Sequence, residues 1–148
     1  MEAASSFSKI LVPVDRSESS KRALEYALKL ANSNKSKVTI LHVVEPLSSV
    51  PETEVAIHAV EVAAENLARE LLDGLADKAQ KDYGIKPELV WRVGHPADVI
   101  LDVAKEKAAG SDLIVMGSRG LGGFKEMLLG SVSHAVVNHA KMPVLIVR

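Results

Sequence analysis

Five short apolar runs alternate along this chain with stretches long enough to hold helices. The runs cover Lys9–Val14, Lys37–Val44, Glu88–Val93, residues 112–116 and Val144–Val147. Each is too brief for a buried helix, and several are rich in Val and Ile, as strands covered on both faces are. Between them lie segments with helical apolar spacing. Ala23, Leu24, Ala27, Leu28 and Leu30 follow the start residues Arg16-Ser17-Glu18-Ser19-Ser20. Residues 54–80 form a long second helix with Val55, Val62, Leu67, Leu71, Leu72, Leu75 and Ala79 as inward candidates, its first turns free to run past the sheet. Gly74 inside it marks either close packing or a mild bend, and Gly84 closes it. A third helix presents Val99, Ile100, Val103 and Ala104, and a fourth spans about residues 131–138. The order βαβαβαβαβ predicts an α/β fold, a doubly wound open parallel five-stranded sheet with helices on both faces. The strand order expected is 3-2-1-4-5, the one that sets strands one and four side by side. The mixed run Glu88–Val93 fits an edge, and residues 1–148 read as one domain.

That core must be aliphatic, because 47% of residues are hydrophobic but only 3% aromatic. A formal net charge of -1 gives no support for a nucleic-acid or anionic-membrane surface. The absence of cysteine excludes disulfides, thiol catalysis and Cys-based zinc sites. No apolar run approaches the ~20 residues of a membrane helix, and MEAASSFSK does not read as a signal peptide, so a soluble, cytoplasmic protein is expected.

The stretch 117–131, GSRGLGGFKEMLLGS, directly follows the fourth run. Glycines after a strand let the backbone approach a ligand, and a helix opening at Gly130-Ser131 offers free N–H groups and a partial positive charge to an anion. The same residues also serve in ordinary turns and as helix caps, and spacing alone leaves both readings open. In a 3-2-1-4-5 sheet, Asp15 at the end of the first strand lies on the same rim as this loop, at the point where the winding reverses. Val14 and Val43 then offer a wall for a base, Asp15 an acceptor for ribose or base donors, and residues 117–120 and 130–133 a phosphate cradle. The hydroxyls of Ser131 and Ser133 assist that cradle. For Asp15 the alternative is a turn-forming or capping carboxylate; for Arg119, a phosphate-binding fork or a solvated loop arginine. Lys125 reads as solvent-facing. His42, His58, His95, His134 and His139 show no metal-binding spacing.

No Walker motif GxxxxGK[ST] is present, and the first βα turn, VDRSESS, lacks the glycines of a dinucleotide fingerprint. The early acidic pair of a receiver domain is also missing.

The pattern G-2x-G-9x-G-(S/T), met in full by Gly117, Gly120, Gly130 and Ser131, resembles that of the universal stress protein family in its ATP-binding branch. KILVPVDRSESSKRALEYALKLA and KMPVLIVR extend the resemblance over essentially the whole chain. It implies that Asp15 and Val43 contact adenosine, lined by Pro13 and Val14. It further implies that Gly117, Gly120, Gly130, Ser131 and Val132 form the phosphate side, with Met116, Ser118, Arg119 and Ser133 beside them, and magnesium near the phosphates. It implies a homodimer through the last strand, which physics favours independently, because an exposed apolar edge strand seeks a partner. The expected function is an ATP-binding stress-response or regulatory module. A slow Mg-dependent ATPase and a non-catalytic adaptor dimer are the alternatives, since no general base is evident.

Overall fold

The computed structural model describes residues 6–47, 49, 52–106, 110–119 and 128–148. Nine elements follow in order: β1 (Lys9–Val14), α1 (Glu18–Asn34), β2 (Lys37–Val44), α2 (Glu54–Tyr83), β3 (Glu88–Val93), α3 (Pro96–Lys105), β4 (Leu113–Gly117), α4 (Ser131–His139) and β5 (Val144–Val147). The strands form one parallel sheet in the order β3-β2-β1-β4-β5, as expected.

Alternation along the strands feeds two cores. Ile10, Val12 and Val14 of β1, with Val38 and Ile40 of β2, pack against Ala23, Leu24, Ala27 and Leu28 of α1 and Leu72 and Ala79 of α2. Leu11, Leu41, Ile114 and Met116 face the other way, onto Ala97, Ile100, Val103 and Ala104 of α3 and Val136 of α4. The chain passes from β3 back to the far side of β1, and that reversal moves its helices to the opposite face.

Local chemistry sets the boundaries. Ser17 caps α1 by accepting from the Ser20 N–H (3.1 Å), and Thr53 caps α2 through the Ala56 N–H (3.2 Å). Gly84 ends α2 in the left-handed conformation (φ 66°) that glycine adopts without penalty. Pro13 is tolerated in a central strand because the β1–β4 pairing runs Ile10↔Leu113 and Leu11↔Ile114 and stops before it. At the other end of the sheet, Asp112 accepts from the Ser8 N–H, the Ser8 hydroxyl and the Lys9 N–H, each at 2.9 Å, and so ties β1 to the entry of β4.

The long helix runs past the sheet, as its first turns were expected to, but by more than those turns. Its buried residues, Ala68, Leu72 and Ala79, all lie from its midpoint onward. Val55, Val62 and Leu67, expected to face inward, are 81%, 42% and 49% exposed. At 30 residues α2 is about 45 Å long, whereas the strands it covers reach only ~20–27 Å, so its N-terminal half runs beyond the sheet. Gly74 is not a close-packing site either: a Cβ there would meet nothing within 4 Å.

Candidate nucleotide site at the strand ends

Parallel pairing puts the C-terminal ends of β1 and β4 side by side. The register Ile10↔Leu113 and Leu11↔Ile114 aligns the two strands, so Asp15 after β1 and Ser118 after β4 leave the sheet at the same end. The early carboxylate and the late glycine therefore share one rim. Val43, near the end of β2, lies two strands from β4 on that rim.

The base of the glycine loop is pinned at one atom. The Ser118 carbonyl accepts from the Gly130 N–H (2.7 Å) and from the Ser133 hydroxyl (2.8 Å). The Ser118 N–H donates to the Val147 carbonyl (2.9 Å), and Ser118 is buried. The loop thus leaves β4 and returns to α4 at nearly the same point. Gly120, Gly122, Gly123 and Lys125 lie outside the described residues. Gly130, rather than Ser131, is the N-cap of α4, and no side chain caps this helix. The first-turn N–H groups of Ser131, Val132 and Ser133 consequently have no acceptor among the described residues, the condition under which a helix start takes an anion. Ser131 is exposed and Val132 half-buried, whereas Ser133 is turned inward. The Ser133 hydroxyl is shared between the Ser118 and Gly130 (3.1 Å) carbonyls, which leaves only its backbone N–H for a ligand.

Gly117 has a structural reason of its own. A Cβ there would collide with the Ser19 hydroxyl and come within 2.7 Å of the Ser19 carbonyl carbon, so helix α1 fills the space that glycine vacates. Ser19 was not legible as part of the rim. Its buried hydroxyl accepts from the Arg119 N–H (3.5 Å) and donates to the Val147 carbonyl (3.4 Å), joining α1, the loop and β5.

Asp15 is half-buried and half-committed. Its Oδ1 accepts from the Ser17 N–H (2.8 Å), the turn that leads into the α1 cap, while Oδ2 has no donor among the described residues. Its backbone is fixed by Ser20, whose hydroxyl lies 3.2 Å from the Asp15 N and 3.0 Å from its O. His42, near the end of β2, lies on the same rim, and spacing did not reveal its role there. Its Nδ1 lies 2.9 Å from the Val14 carbonyl and ties the end of β2 to that of β1. Pro13, Val14 and Met116 are buried, with Val14 in the α1/α2 core; Val43 is half-buried on the α3/α4 side. Val14 and Val43 therefore do not form one wall, because their side chains leave opposite faces of the sheet. Two hollows, of 270 Å³ between α1 and α2 and of 330 Å³ beside Lys37 and Glu88, lie away from this rim.

A sequence model described as the Universal stress protein family matches residues 6–148. The chain belongs to the universal stress protein family. Universal stress protein YxiE of Bacillus subtilis is 43% identical over 96% of this chain and 99% of its own length. Among solved structures, universal stress protein UspA from Lactobacillus plantarum superposes with a TM-score of 0.79 at 28% identity, covering 98% of this chain and all of that one. A universal stress protein in complex with cAMP gives 0.72 at 31% identity over 97% of this chain and 99% of its own. A family member from Arabidopsis thaliana with AMP bound gives 0.66 at 26%, over 95% and 90%. Among the described residues no helix is long and apolar enough to cross a membrane.

Proposed function

We propose that this universal stress protein is an ATP-binding regulatory module, with the nucleotide seated across the ends of β2, β1 and β4. The observation that carries the proposal is the pairing of two half-used groups on one rim. Among the described residues Asp15 keeps one carboxylate oxygen open, and the start of α4, with no side-chain cap, is held against the loop base by the Ser118 carbonyl. One group accepts from ribose or base donors; the other receives phosphate through N–H groups and the helix dipole. The relatives solved with cAMP and with AMP support an adenine nucleotide as the ligand class.

In this reading Val43, Pro13 and Val14 border the adenosine. Met116, Gly117, Ser118, Arg119, Gly120, Gly130, Ser131, Val132 and Ser133 border the phosphates. Among the described residues no three His or carboxylate groups cluster for a metal. Magnesium therefore fits as a companion of the phosphates, which commonly supply its ligands together with water. The module works as a homodimer through β5, an edge strand whose Leu145 is 40% exposed. Native mass spectrometry of freshly purified protein, followed by ATP titration, tests the ligand. Saturable binding of one nucleotide per chain is expected; neither co-purifying nucleotide nor saturation would leave an adaptor dimer as the function.

A further inference from the structure

The part of α2 beyond the sheet carries an organised apolar seam. Ile57, Val60, Ala64 and Leu67 follow alternating steps of three and four, the spacing of a helix–helix seam, and the next step, Leu71, already packs on the core. Ile57 is 44% and Leu67 49% exposed, with Val60 and Ala64 half-buried between them, so the two ends of the seam stay open among the described residues.

Charge selects what covers it. The chain carries no Lys or Arg between Lys37 and Arg69, although its net charge is only -1. Glu54, Glu61 and Glu65 run along one flank of the seam. Glu65 is paired with Arg69 at 2.8 Å; Glu54 and Glu61 are exposed. Antiparallel pairing with α2 of a second copy would set Glu54 and Glu61 against their own equivalents, and like charges across such a seam repel. Parallel pairing would set Glu61 against Ala56 and gain nothing from the charge. A helix with its own apolar seam and a flank of lysine or arginine uses both features.

We propose that the N-terminal half of α2 is a docking surface for a cationic amphipathic helix of another protein. Helix-on-helix seating of this kind reads anchors three and four residues apart, and the glutamate flank sets partner choice. This surface is separate from the nucleotide rim and stands without it.

The probe is a synthetic 21-residue helical peptide with leucine at the seam positions and lysine on the flanks; its control carries glutamate in place of lysine. Titration calorimetry on the full chain should give one saturable cationic peptide per chain, weakening as salt rises. Ile57→Asp and Leu67→Asp should each weaken it at least tenfold, while Val93→Asp, on exposed β3, leaves it unchanged. If an aspartate variant loses its helical circular dichroism, the exposed pair Glu54→Gln/Glu61→Gln carries the same test and should weaken binding severalfold. Absence of saturation, equal binding of the glutamate peptide, or affinity indifferent to the seam and flank variants overturns the proposal. So does sedimentation showing that Ile57→Asp dissociates a self-associated form, which would make a second copy the occupant.

Discussion

Single residues at this rim hold two jobs, and Asp15 shows how to separate them. Its Oδ1 supports the turn into α1, and its Oδ2 is the group assigned to the nucleoside. Asparagine keeps an oxygen for the Ser17 N–H but loses the charge and the second acceptor. Asp15→Asn should therefore change thermal stability by under about 1 kcal/mol while weakening adenosine and ATP alike by roughly tenfold, the scale of one charged hydrogen bond. Calorimetric titration beside a melting curve checks this, and equal losses in both would make capping the whole role. Asp112 offers the opposite case, a carboxylate with only a structural task. Partial burial pushes its carboxyl up, but the Ser8 and Lys9 N–H groups and the Ser8 hydroxyl together outweigh that and hold it below the ordinary value. A depressed folded-state pKa contributes stability that is fully present above the unfolded value of about 3.9 and is lost as pH falls through the folded value. Asp112→Asn should cost about 1–2 kcal/mol in urea unfolding at pH 7, with the gap from wild type narrowing toward pH 3. Sequence named Asp15 for its place after a strand. It could not name Ser19, or the tie that His42 makes to Val14; those roles come from partners 128, 100 and 28 residues away.

At the scale of elements, strand and helix identities were legible because apolar period and capping chemistry agree at almost every boundary. Sequence allowed the first turns of α2 to pass the sheet but could not say how far. Val55, Val62 and Leu67 have helical spacing, but spacing says nothing about whether an opposing surface exists, and α2 outruns its sheet before reaching them. Of the two readings of Gly74, close packing fails for the same reason: among the described residues no neighbour lies near it. Its open surroundings supply a test. Gly74→Ala should stabilise the protein by about 0.5–1 kcal/mol, the helix-propensity difference, seen as a rise in chemical denaturation midpoint with unchanged slope. A loss of stability would mean that the helix needs glycine there after all.

For the molecule as a whole, the proposed site depends on the sheet order, because that order brings residues more than a hundred positions apart onto one edge. The doubly wound class was legible from the alternation of elements; the expected order matches the sheet, but alternation alone does not single it out, since sheets of order 2-1-3-4-5 alternate in the same way. The same order leaves β5 at an edge with Val144 and Ile146 half-buried and Leu145 exposed. If that edge joins two copies, Leu145→Glu should turn a dimer into a monomer in sedimentation equilibrium at micromolar concentration, with circular dichroism unchanged. A wild-type monomer at that concentration would remove the dimer. The measurement that bears most directly on the shared rim is an amide spectrum of ¹⁵N-labelled protein as ATP is added. Shifts should saturate together, with one affinity, at Asp15 and Val43 on one side and at Ser131 and Val132 on the other. Shifts confined to one of these pairs, or titrating with unrelated affinities, would contradict a single nucleotide held at both ends.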